Sequence, residues 1–543
     1  MNPVLDRRLL LKAGALGFGA LAVPALAQVV ERRGFAHNVA SGEPRQRSVM
    51  LWTRYVPPAG GGGGLRWQVS HGEDFARIAR QGSVTADPGH DFCVKPVVRG
   101  LQPGRYYYYR FTDASGRHSP VGRTRTLPEG PTVGFRIGIF SCANMGFGWF
   151  NAYAHAAARR DLDLILHLGD YFYEFARGAY PSEADALPGR LVEPEGEAAS
   201  LAGYRLRLAA YRSDPDLQRL HQMFPMVMMW DDHESANDSW HGGAANHQAE
   251  TEGSWDARKA ASRRAYREWL PVSENDWESY EIGDLATLFR PETRLTARSR
   301  PLSLGAVLGA GGDPGAALAA FRDGPWRDPA RTMMGVEQEA WLAAGLRRSA
   351  AARTPWQLLG QQVIMGSSRL APEVAAMVTP AAAERVRREV AAGIAASRAG
   401  LPFNLDRWDG YPAARERLLR AALDADANLI VLSGDSHNAW GFELDLAGTA
   451  AGVEFAGQSV TSPGYEAYMP WVDPAELARV SVAFNPQLKW IDTSRRGYMT
   501  LDLTPQRATG EWLFLDTVRR RSTALAGRHA MTVRRGANRF AGA

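Results

Sequence analysis

The sequence predicts a small all-β sandwich followed by a larger α/β domain. Three observations carry this prediction. Residues 34–127 hold short alternating strands separated by Gly- and Pro-rich turns. From Val133 onward the pattern becomes apolar strand, helix, apolar strand, the mark of parallel β-α-β units. Several of those apolar strands end abruptly in polar residues, and in open α/β sheets chemistry sits beyond the carboxyl ends of the strands. At 543 residues the chain is too long for one ordinary core. Its hydrophobic content of 45% argues against disorder. The net charge of +5, with no basic cluster interleaved with aromatics, carries no nucleic-acid-binding signature.

Taken in order, Arg7-Arg8 precede an apolar stretch from Leu9 to Leu26, and Ala25-Leu26-Ala27 is a small-x-small cleavage site. The run RRLLLK resembles a twin-arginine export signal. Residues 1–27 are therefore expected to be a signal peptide read by the twin-arginine translocase, which makes the mature chain periplasmic or secreted. The rival is an uncleaved anchor, but the stretch is only marginally long and contains Pro24. No later segment is long and apolar enough to span a bilayer. Residues 28–128 are expected to form the β sandwich, with strands at Ser48–Arg54, Leu65–Ser70, Phe92–Val98 and Arg105–Thr112. Residues 129–510 form the α/β domain, and 511–543 a C-terminal extension. In the α/β domain, strands are expected at Val133–Phe140, Leu162–Leu168, Gln222–Trp230, Ser279–Phe289, Trp356–Met365 and Leu429–Ser433. Helices are expected near 148–160, 255–269, 337–349, 380–399 and 415–424, with 175–222 an insertion and 303–320 a Gly/Ala-rich loop. The two cysteines, Cys93 and Cys142, are expected to be free thiols, because two residues make no disulfide framework.

Four strand ends carry metal-capable residues: Cys142; Asp170 with Tyr173; Asp231, Asp232 and His233; and Asp435 with His437. One such residue alone is ordinarily a cap or turn. Four in register along one α/β region are hard to explain that way, and crowded carboxylates repel unless a cation binds among them. Thiolate, phenolate and imidazole suit a transition metal, while carboxylate oxygens suit a hard cation such as calcium or manganese. Asp170 is the natural bridge. Two adjacent metals can activate water and flank a phosphoryl group.

At these residues the sequence resembles a known family. SCAN at Ser141–Asn144, GDYFYE at Gly169–Glu174, WDDHE at Trp230–Glu234 and GDSHNAW at Gly434–Trp440 look like motifs of the alkaline phosphatase D family of calcineurin-like metallophosphoesterases. His37–Arg54, Gly335–Leu342, Trp408–Pro412 and Val460–Gly464 also match. The resemblance implies a four-layer α/β/β/α metallophosphoesterase sandwich and an Fe(3+)–Ca(2+) centre. Carried over by motif, Cys142, Asp170, Tyr173 and His437 would hold iron, and Asp170, Asp232 and Asp435 calcium. His233 would contact phosphate or protonate the leaving group, with Asn144 a further substrate contact. Glu292-Thr293-Arg294 stands where the family has Asp-Thr-Arg, and Glu292 is expected to be structural through pairing with Arg294.

The expected function is hydrolysis of phosphate mono- and diesters by metal-bound hydroxide. A phospholipase D-type phosphodiesterase of the same fold is the alternative, and an inactive envelope-binding protein the alternative from another class. Several tempting residues have plainer explanations. His155 and His167 are expected to be packed and hydrogen-bonded, and Cys93 a small buried hydrophobe. His241 and His247 lie in a loop after WDDHE. Trp149, Trp240 and Trp440 serve core packing as readily as pocket walls.

Overall fold

The computed structural model describes residues 33–58, 61–380 and 382–542; the expected signal peptide, residues 1–27, lies outside them. Two large sheets face each other. In the first, Phe135–Phe140, Leu164–His167 and Pro225–Met228 run parallel. In the second, Ala286–Arg290, Trp356–Gly360, Leu429–Ser433 and Thr449–Ala456 do the same. Strand alternation decides which side chains meet between the sheets. Ile137, Ile139, Leu164 and Leu166 turn inward against Leu288, Leu358, Ile430 and Phe455. Ile165 and Met226 turn outward, where Tyr204, Leu208, Leu220 and Trp269 from three helices cover them. On the far side Leu359 and Val431 meet Leu342, Leu346, Leu418 and Leu419 from the helices Gly335–Ala351 and Pro412–Asp424. The order of layers is α/β/β/α.

Local sequence sets the covering helices. Pro215–Met223 opens with proline in its first turn, and Asp214 accepts from the backbone N–H of Asp216 and Leu217. Trp255–Trp269 is capped by Ser254, which accepts from Ala257 N–H. It stops at Leu270, which is extended as a residue before proline prefers to be.

The amino-terminal region is a β sandwich. Val49, Leu51, Val94 and Val98 on one wall pack against Leu65, Val69, Tyr107, Tyr109 and Phe111 on the other. The first wall is continuous with the large sheet, because Val39–Gly42 pairs in parallel with Pro225–Met228. At the opposite edge Gly497–Leu503 pairs antiparallel with Phe135–Phe140, and Arg507–Leu515 and Leu525–Arg534 follow. Residues 511–543, expected as an extension, thus supply sheet strands.

Other expectations need correction. Residues 303–320 are not a loop: they contain the helix Leu304–Gly309 and most of Pro314–Asp323. Alanine is the strongest helix former, and Asp313 followed by Pro314 is a helix start. Ser279–Phe289 is a hairpin of Glu278–Ile282 and Ala286–Arg290, turned at Gly283 with φ +54°. The strand expected from Gln222 begins at Pro225, because the preceding helix runs to Met223. Cys93 and Cys142 are both free and buried. Among the described residues no helix is long and apolar enough to cross a membrane.

Candidate metal centre

Four strand ends converge on one cleft. Phe135–Phe140 leads into Cys142, Leu164–His167 into Asp170, Pro225–Met228 into Asp231–Glu234, and Leu429–Ser433 in the facing sheet into Asp435 and His437. Cys142, Asp170, Asp435 and His437 all adopt left-handed backbone, with φ of +59°, +51°, +61° and +63°. That conformation is costly for residues with a Cβ and persists only where the surroundings impose it. It turns each chain sharply as it leaves the strand. Gly169 precedes Asp170 with φ +105°, and a Cβ there would lie 2.5 Å from Asp231 Cβ.

Buried carboxylates and one arginine fasten these turns. Glu234 accepts from the backbone N–H of Asp170 at 3.2 Å and Asp231 at 2.7 Å, and from that of Tyr171. Glu292 accepts from the Trp230 indole and from the backbone N–H of Arg294 and Leu295, each at 2.8 Å, while its other oxygen serves Thr296. Glu292 is structural, but its expected pairing with Arg294 is corrected: it takes only the backbone N–H. The Arg294 guanidinium, fully buried, pairs instead with Asp231, with Asp406 at 2.7 Å and with Asp435 at 3.4 Å.

Within the cleft, potential ligand atoms of Cys142, Asp170 and His437 lie within 4.8 Å of one another. The Tyr173 hydroxyl is 3.0 Å from Asp170 Oδ2 and 3.1 Å from His437 Nε2. His437 Nδ1 meets the Pro463 carbonyl at 2.8 Å, which assigns its proton to Nδ1 and leaves Nε2 to face the cluster. Burial pushes this imidazole down to about 3, so it is neutral. A second group joins Asp170, Asp232 and His233 within the same limit, so Asp170 belongs to both. His233 Nδ1 contacts Glu174 at 2.7 Å, and its ring lies 4.2 Å from that of Tyr173. Burial alone would lower the His233 pKa, but the carboxylates of Asp232, Glu174 and Asp170 outweigh it and raise it well above the usual range.

Asp435 stands apart from both groups, its carboxyl turned to Arg294 and raised by burial to about 7. Asn144 accepts from Gly146 N–H at 3.0 Å and donates one amide N–H to the Tyr180 carbonyl at 3.3 Å. His167 is paired with the Tyr153 hydroxyl at 2.9 Å, His155 with Tyr498 at 2.8 Å and His247 with Glu252 at 3.0 Å. The His241 carbonyl accepts from the Trp255 indole and from Lys259.

The chemistry of these groups fits a cation. Burial pushes the Cys142 thiol, the Asp170 carboxyl and the Tyr173 phenol well above their ordinary values, and Asp231 to about 8. Asp170 Oδ1 and Asp231 Oδ2 are buried with no hydrogen-bond partner among the described residues. A buried oxygen in that state is costly, and a metal ion relieves both the crowding and the missing partner. Thiol, phenol and imidazole around Asp170 make one transition-metal donor set, and the Asp170–Asp232 side is richer in oxygen.

Comparison with known proteins decides the family. Residues 137–512 match the PhoD-like phosphatase family, and residues 21–128 match its N-terminal domain. The chain belongs to the PhoD-like phosphatase family. It is 32% identical over 521 residues to alkaline phosphatase D of Bacillus subtilis (strain 168), covering 91% of this chain and 80% of that protein. The fold is similar to a solved structure of PhoD, with a TM-score of 0.74 and 28% identity over 92% of this chain and 90% of that one. A purple acid phosphatase from yellow lupin seeds shares the fold at a TM-score of 0.50 and 13% identity, over 91% and 73% of the two chains. PhoD-like phosphatase membership agrees with the family inferred from the motifs and with the four-layer architecture.

Proposed function

We propose that the chain is an exported, metal-dependent phosphatase that hydrolyses phosphate mono- and diesters. The observation that carries this reading is the pair of ligand groups sharing Asp170 at the mouth of the strand ends. Cys142, Asp170, Tyr173 and His437 would hold Fe(3+), and Asp170 and Asp232 would hold Ca(2+), with Asp435 joining them by leaving Arg294. Metals held there supply Lewis acidity, activating water and drawing charge from the phosphoryl oxygens. Glu174 holds His233 through Nδ1, so Nε2 is the atom that would donate to a phosphoryl oxygen or to the departing oxygen. Arg294 holds Asp231 and Asp406 beside the site without entering it. Asn144 donates one amide N–H to the Tyr180 carbonyl and accepts from Gly146 N–H, so its second amide N–H is the group it would offer to substrate. Export rests on the sequence of residues 1–27.

The test is hydrolysis of a chromogenic phosphate monoester and the matching diester by purified mature protein, with metal content measured in the same sample. Wild type should turn over and contain iron and calcium. Asp170→Asn and Cys142→Ala should lose both activity and iron. Metal-replete wild type that is inert on both esters would overturn the proposal.

A further inference from the structure

We infer that Phe175, Tyr180 and Tyr468 form an aromatic wall that binds the alcohol portion of the ester, giving preference to esters with a flat, apolar leaving group. This rests on the proposed hydrolase reading, because it uses His233 to fix where the leaving oxygen lies. A proton donor must reach the oxygen it protonates, so the carbon skeleton beyond that oxygen meets whatever flanks His233. The Phe175 ring lies 5.2 Å from the His233 ring. Tyr180 follows at 5.8 Å from Phe175 and 5.7 Å from Tyr173, braced edge-on by Phe147 at 4.8 Å. Tyr468 lies beside the Tyr180 hydroxyl and is 42% exposed, at the solvent end of the row.

The charged groups behind this wall are paired, with Arg190 Nη2 and Glu193 Oε2 buried. Arg177 pairs with Glu193 and Arg190 with Asp214. Arg207 donates to the carbonyls of Tyr173, Phe175, Glu193, Pro194 and Gly196. What remains for a ligand is ring faces. The cavity beside Tyr173, Phe175 and Tyr180 holds only about 50 Å³, too little to swallow a leaving group, so the group must lie along the wall. A flat ring gains stacking and burial there that a two-carbon chain does not.

The experiment compares benzyl and ethyl phosphate esters, whose leaving alcohols are of similar acidity, so that only contacts differ. The ratio of kcat/KM for benzyl over ethyl is measured in wild type, Phe175→Ala, Tyr180→Ala and Tyr468→Ala. Both substrates are assayed on the same sample, so partial unfolding or metal loss cancels. Wild type is expected to favour benzyl by about tenfold or more, and each variant should bring the ratio towards one. A wild-type ratio near one, or a ratio that all three variants leave unchanged, overturns the wall while leaving the hydrolase reading intact. No turnover of either ester by metal-replete wild type overturns the hydrolase reading, and the wall with it.

Discussion

Stripping cations from the cleft should make the stability of the folded chain fall as pH rises from about 4 towards 8. Burial is the chief cause of the raised carboxyls: Asp231 and Glu234 titrate at about 8, and Asp238 and Asp435 at about 7. The same side chains in the unfolded chain titrate near 4. At pH 6 the folded, metal-free chain therefore holds protons that the unfolded chain has released. Stability is then greatest at the acid end of the window and is lost as pH climbs through it, the reverse of an ordinary salt-bridged aspartate. Each retained proton contributes a slope of about 1.4 kcal/mol per pH unit. One such proton kept between pH 5 and 7 costs about 3 kcal/mol, and two cost about 5. Asp170 and Asp435, as proposed ligands, release their protons when metal binds, and the charge of a bound cation lowers the neighbouring carboxyls as well, so the metal-replete chain should show a much shallower slope. Urea unfolding midpoints of chelated and metal-replete protein at pH 5, 6 and 7 measure the difference directly. If both samples show the same pH dependence, these carboxyls do not need a cation and the electrostatic account of the cleft is refuted.

Three further perturbations follow from particular contacts. Glu292→Ala strands the Trp230 indole, three backbone N–H groups and the Thr296 hydroxyl, and should cost about 3 kcal/mol or more in urea unfolding, with Glu292→Gln costing less. Glu174→Gln should lower kcat by roughly tenfold or more through loss of the His233 partner, with little change in KM; unaltered kcat would remove Glu174 from the account. Gly169→Ala forces a Cβ onto the Asp231 backbone at φ +105°, and should reduce both metal occupancy and stability by about 2 kcal/mol or more, read by metal analysis and thermal unfolding.

Much of this site is legible in the chain because its signals are local. Leu429–Ser433 reads as a buried strand from its apolar run, and its observed bounds coincide with the expected ones. Gly169-Asp170 and Gly434-Asp435 end strands where only a tight turn can follow. The residues that hold the site gave no such signal. Arg294 lies in a segment the sequence singles out, but its partners Asp406 and Asp435 are far away in sequence, and only the neighbouring Glu292 is legible there as a partner. Glu174 and Glu234 sit inside recognisable motifs, yet their work is to accept backbone N–H groups and a histidine proton, which no periodicity reveals. Val39–Gly42 is too short for alternation to announce it, and its partner is set by tertiary contact. The helices in 303–323 were legible from Asp313-Pro314 and the alanines, but glycine content pointed the other way.

The central strand Phe135–Phe140 has its neighbours at very different times in synthesis. Leu164–His167 emerges soon after it, but Gly497–Leu503 closes its other side only when almost the whole chain exists. Until then a buried strand leading to Cys142 has an unpaired edge, a template for association with other chains. Contacts this distant in sequence also form slowly. The cluster around Cys142 is therefore expected to close late in folding, and a truncation before residue 497 should yield an aggregating chain that retains no metal, however complete its ligand motifs.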